Sequence, residues 1–100
     1  MIYITQLIYL KPGQEAVFDQ FEAVAIPLIS KYNGKLLFRL RPSIDTFVEQ
    51  TIASPYEVHL VRFESETDFQ NFMQDDERRR FLHLKEMSIE SSMLIKGEAL

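Results

Sequence analysis

One hundred residues, 46% of them hydrophobic and including 8 Phe and 4 Tyr, suffice for one domain, residues 1–100, with its own core. There is no cysteine, which excludes disulfides, thiolate nucleophiles and thiolate metal sites and fits a cytoplasmic setting. A net charge of -4 gives no field that gathers nucleic acid. The one basic run, Arg78-Arg79-Arg80, follows Asp75-Asp76-Glu77. On a helix its side chains fan out at roughly 100° intervals, so a solvated face is expected rather than a phosphate track.

Ile2–Leu10 is apolar but lacks a basic leader and a small-residue cleavage site, and it runs into Lys11-Pro12-Gly13. It reads as a central strand, not a signal peptide, and no stretch reaches the length of a membrane span. A helix follows from Gly13 or Gln14, with Phe18, Phe21, Ala25, Leu28 and Ile29 on one apolar stripe. Pro27 predicts a kink or break, because it lacks an N–H and its ring meets the Ala23 carbonyl. Asn33-Gly34 supplies a left-handed stop.

Lys35–Arg41 alternates Leu36, Phe38 and Leu40 against Lys35, Leu37, Arg39 and Arg41, and reads as a second strand. For Pro42–Pro55 three readings stay open: a continuation past a bulge, a hairpin arm, or a loop. Tyr56–Phe63 is the clearest strand, with parities Tyr56, Val58, Leu60, Arg62 and Glu57, His59, Val61, Phe63. Ser65-Glu66-Thr67-Asp68 resembles a capping box, and a second helical segment begins near Asp75 or Asp76. Ser91–Lys96 is the last strand.

The order β-α-β-β-α-β predicts an α+β, ferredoxin-like fold with an antiparallel sheet in the order 4-1-3-2 and helices on one face. The opposite face, with Tyr3, Leu7, Tyr9, Leu37, Val58 and Leu60, is too apolar to stay wet. A homodimer packed sheet to sheet covers it.

These residues resemble the dimeric α+β-barrel superfamily. Met1-Ile2-Tyr3 with Leu10-Lys11-Pro12-Gly13-Gln14-Glu15 and Phe18 resembles the strand–KPG–helix start of several of its families. Ile26-Pro27-Leu28-Ile29, Tyr32-Asn33-Gly34-Lys35-Leu36 and Val58-His59-Leu60 are similar to small domains of unknown function and to NIPSNAP-type domains, with Val61 where a Trp is usual. Phe63-Glu64-Ser65-Glu66 through Phe69, Phe72 and Phe81 resembles antibiotic-biosynthesis and haem-degrading monooxygenases, with Phe63 in place of a Trp. The resemblance covers nearly the whole chain but is carried mainly by structural motifs.

With Ile2, Ile4, Gln6, Ile8, Leu36, Phe38, Leu40, His59, Val61 and Phe63 assigned to the helix-facing layer, two polar side chains fall inside it: Gln6 and His59. That pair predicts a site for a small apolar or aromatic molecule, with His59 as acid/base and Gln6 as orienting amide. Phe63, Phe69, Phe72 and Phe81 form walls, and His83 closes over them. The chemistry expected is isomerase-type or cofactor-independent oxygenation, in a cavity of roughly 300 Å³ or more. The resemblance implies a second reading, in which Gln6 is the first-strand amide and His83, offset by about one residue, the axial histidine of a bound haem. A third makes both histidines structural in a non-enzymatic module. On the other face Tyr3, Tyr9, Arg39, Arg41 and Tyr56 are expected at the dimer interface. Cofactors and metals are not expected: no phosphate loop or metal-spaced set appears, and Glu49, Glu64, Glu66, Glu86 and Glu90 form no acid pair.

Overall fold

The computed structural model describes residues 1–100. Apolar alternation and the two capped turns give β1 (Ile2–Leu10), α1 (Glu15–Leu28), β2 (Gly34–Leu40), β3 (Glu57–Phe63), α2 (Glu66–Met73), α3 (Asp76–Arg80), α4 (Leu82–Ser88) and β4 (Ile89–Gly97). The strands form one antiparallel sheet in the order β2-β3-β1-β4, the ferredoxin-like arrangement. The helices lie on one face, and the molecule is a slab 16 Å thick and 36 Å across.

α1 runs through Pro27 to Leu28 and then tightens into a 3-10 turn at Ile29–Tyr32, which Asn33 ends in the left-handed conformation (φ 57°). Ser65 caps α2 by accepting the Asp68 amide at 3.1 Å, and Asp75 caps α3 by accepting the Arg78 amide at 2.9 Å. The second helical half is three short segments rather than two. Between them sits a core of Ile4, Leu28, Ile29, Val61, Phe63, Phe69 and Phe72. Pro42–Pro55 is a loop with one 3-10 turn, Ile44–Thr46, tied to β1 where the Tyr9 hydroxyl donates to the Ala53 carbonyl at 2.8 Å.

Three placements differ from the sequence reading. β2 alternates as expected up to Leu36, which faces Val61, but Leu37 is then bulged out and the next pairs are Phe38–Leu60, Arg39–His59 and Leu40–Val58. One extra residue inverts the parity. Phe38 and Leu40 therefore join the open face, whereas Arg39 joins the helix-covered side with His59, and Arg41 reaches Glu57 and Asp19 there. Neither arginine is on the proposed dimer face. Tyr56 also leaves that face, because it precedes the paired part of β3. Its ring packs edge-on against Phe18 of α1 at 5.9 Å and lies under the Arg41 guanidinium at 4.9 Å. Finally, Arg78 is buried while Arg79 and Arg80 are exposed, so the basic run is not uniformly solvated.

The open face keeps Tyr3, Leu7, Tyr9, Val58 and Leu60, and gains Phe38, Leu40, Met93 and Ile95. Phe38, Leu40, Met93 and Ile95 are each between 44% and 50% exposed, an unusual amount for large apolar side chains in the strands of one sheet.

Candidate functional site

Gln6 and His59 are paired residues on β1 and β3, so period two places both side chains toward the helices. His59 is buried. Its Nε2 is hydrogen-bonded to a Glu57 carboxylate oxygen, which orients the ring and leaves Nδ1 as its uncommitted nitrogen. Glu57, two residues earlier on the same face of β3, is only 1% exposed. It also accepts from Arg39 (3.0 and 3.2 Å from Nη2, 3.3 Å from Nε) and from Arg41 Nε at 2.8 Å. Burial alone raises a carboxyl's pKa, but here the His59 and Arg41 hydrogen bonds and the nearby charges outweigh it and hold Glu57 down at about 2.

A second carboxyl reaches the same place from above. Glu22 lies on the buried stripe of α1, between Phe18 and Ala25, and is 6% exposed. Its pKa moves the other way, upward, because desolvation dominates over the attraction of His59. The environments of Glu22 and Glu57 push two carboxyls in opposite directions around one imidazole, the pattern from which proton donor and acceptor roles are built.

The site opens into a cavity of about 100 Å³ between sheet and helices. Gln6, Glu22, His59, Arg78, Lys85 and Ser92 form its polar lining. Phe63, Phe69 and Phe72 are walls, joined by Ile4, Ala25 and Val61. The volume is smaller than the roughly 300–1,000 Å³ of drug-sized sites, and suits a few waters or a very small organic molecule. Phe81 and His83 do not line it. The short segments α3 and α4 turn them outward, with the two rings stacked 6.3 Å apart and His83 exposed. His83 thus does not fit as axial ligand to a haem in this cavity, nor does the volume admit one.

The donor atoms of Glu22, Glu57 and His59 lie within 4.8 Å of one another, a spacing compatible with a metal ion. Glu57, however, already accepts from two guanidiniums and the imidazole, and Arg78 and Lys85 line the adjoining cavity. A divalent cation has to displace the former and face the latter. The donor set suits proton transfer better than metal binding.

Sequence reasoning missed Glu22, Glu57, Arg78 and Lys85. Two of them carried a legible signal: Glu22 falls at i+4 from Phe18 on the apolar stripe, and Glu57 shares the parity of His59. A charge on a buried face is the informative observation.

Fold and site together define a ferredoxin-like α+β protein with a mainly apolar cavity between sheet and helices that carries a cluster of polar side chains. No protein-family model matches the chain, and no curated protein matches it either. Solved structures with this fold include a protein of unknown function from Rhodopseudomonas palustris, at TM-score 0.81 and 17% identity over 99% of this chain and 82% of that one. A NIPSNAP-family protein of unknown function from Agrobacterium tumefaciens has TM-score 0.69 and 18% identity, over 97% of this chain and 86% of that one. A dimeric protein of unknown function and ferredoxin-like fold from Bacteroides fragilis has TM-score 0.72 and 12% identity, over 98% and 95%. At these identities the likeness is one of fold, and it extends to NIPSNAP-type structures as the sequence resemblance implies.

Proposed function

We propose that this chain is a homodimeric small-molecule-binding protein whose interlayer cavity supports proton transfer by His59. Glu57 orients the imidazole, Gln6 orients the ligand, and Glu22 exchanges the proton with His59 or the ligand. One observation carries the reading: His59 is tied through Nε2 to a buried carboxylate while its ring lines a cavity with Gln6 and Glu22. The chemistry that fits is removal and return of a proton at an acidic carbon, as in an isomerase, or the deprotonation that begins cofactor-independent oxygenation. The open apolar face and the dimeric state of the Bacteroides fragilis protein support the homodimer.

The test uses the full chain in D₂O with a panel of small enolisable carbonyl compounds, read by ligand-detected NMR. Deuterium incorporation at the acidic carbon is expected for wild type, with a loss of about 10²-fold or more in His59→Gln. Ala25→Leu, which fills the cavity, is expected to abolish ligand binding. Binding unchanged by Ala25→Leu sinks the site, and binding without deuterium incorporation sinks the proton transfer.

A further inference from the structure

Arg78 is 7% exposed, and its Nε is the one buried side-chain nitrogen or oxygen in the chain without a hydrogen-bond partner. Its Nη1 donates to the Met73 carbonyl at 3.3 Å, and its guanidinium lies 5.7 Å and 5.3 Å from the Phe21 and Phe72 ring centres. The aromatic faces and one carbonyl hold the group in place, and the charges of Glu22 and Asp75 act on it only from beyond ion-pair distance. Lys85 lines the same cavity from α4. Neither cation is in an ion pair. The chain's ion pairs lie at Lys31–Asp75, Arg39–Glu57, Arg41–Glu57, Arg41–Asp19, His59–Glu57 and Lys96–Glu66. Glu22 is the only carboxyl lining the cavity, and burial favours its uncharged form. Within the lining, the buried Arg78 and the partly buried Lys85 thus share one carboxyl, while Asp75 and Glu86 act on them from outside the cavity, an imbalance that a bound anion offsets.

From this we infer that the cavity's ligand is a small monocarboxylate with a compact apolar body, bound at its charged end by Arg78 and Lys85. Arg78 offers its guanidinium and Lys85 its ammonium, and both bonds are charge-assisted. The hydrocarbon part lies against Ile4, Val61 and Phe63, apolar residues of the same lining. The volume limits that part to a short branched chain or a single small ring. This inference rests on the reading of the cavity as a ligand site and names the ligand's charge.

The experiment compares isobutyrate with isobutyramide and benzoate with benzamide, pairs of nearly equal shape that differ in charge. Binding to the full chain is read by saturation-transfer NMR and by side-chain shifts of Lys85 and Arg78. The carboxylates are expected to bind at least about tenfold more tightly than their amides, and Lys85→Met to remove about tenfold from the carboxylates alone. Arg78→Met is measured alongside with its thermal melt. Lys85→Met, at a partly exposed position, keeps the test decisive if Arg78→Met fails to fold. Equal binding of acids and amides, both lost in Ala25→Leu, overturns the anionic ligand and leaves the cavity as a site for neutral molecules. No binding by any of the four overturns both readings.

Discussion

Glu57 fixes the chemistry of the site more firmly than His59 does. It is the one residue that the imidazole and two arginines all require, and it is almost without solvent. Its folded pKa of about 2 lies below the ordinary 4.5, so its contribution to stability is complete above pH about 4.5 and is lost as pH falls toward 2. The depression corresponds to about 3 kcal/mol. Denaturant titrations at a series of pH values should show wild type losing about 2–3 kcal/mol across that window. Glu57→Gln should be destabilised at neutral pH and should lose less through it, keeping the part that Asp75, also held down at about 2 by Tyr32 and the Arg78 amide, contributes. An equally steep acid transition in the variant would remove Glu57 from that role. At this scale the sequence was legible where a period decided the matter: alternation put Gln6 and His59 in the helix-facing layer, and only the register, unreadable in the sequence, pairs them. It was illegible at Arg78, because nothing in a run of three arginines says which one the short α3 turns inward.

At the scale of elements, the turn from the 3-10 segment into β2 is the tightest junction. A Cβ at Gly34 falls 2.6 Å from the Phe63 ring, 2.7 Å from the Ile29 side chain and 2.8 Å from the Ile29 carbonyl. Part of that shell is backbone and core, which cannot move aside. Gly34→Ala is expected to lower stability by about 1–3 kcal/mol, read as a shift in the denaturation midpoint. A change below about 0.5 kcal/mol would mean that the junction has slack. Helix caps and the parities of β1 and β3 were readable, the caps because they rest on local chemistry such as Ser65 and Asp75. The β2 bulge was not: a run of Leu-Leu-Phe-Arg-Leu satisfies either register, and the choice is made by the arginines finding Glu57 on the neighbouring strand. The loop 42–55 was unreadable for a similar reason. Its apolar residues are spread among polar ones, and Ile44, Val48 and Ile52 remain exposed.

For the whole molecule, a slab 16 Å thick has room for one sheet and one helical layer, so one face of the sheet is bare. The order of strands and the need for a cover followed from topology and from counting apolar side chains. Its membership changed in detail, with Phe38 and Leu40 added and Arg39, Arg41 and Tyr56 withdrawn. Two copies joined through this face should bury at least about 800 Å² per partner. Sedimentation equilibrium is expected to give a dimer for wild type and a folded monomer for the double variant Phe38→Glu, Met93→Glu. A monomeric wild type at micromolar concentration would contradict the assembly. No helix is long and apolar enough to cross a membrane.

The single supernumerary residue at Leu37 makes β2 a strand with two audiences. Ahead of it, Leu36 answers to the core; behind it, alternate residues answer to the carboxylate and to the open face of the sheet. Point substitutions at Phe38 or Arg39 each disturb one side. Loss of Leu37 itself removes the bulge and leaves Phe38, Arg39 and Leu40 on their sides, whereas loss of Leu40, made up by straightening the bulge, turns Arg39 to the open face and Phe38 inward opposite His59. The register after Leu36, more than any one side chain, decides which residues reach Glu57.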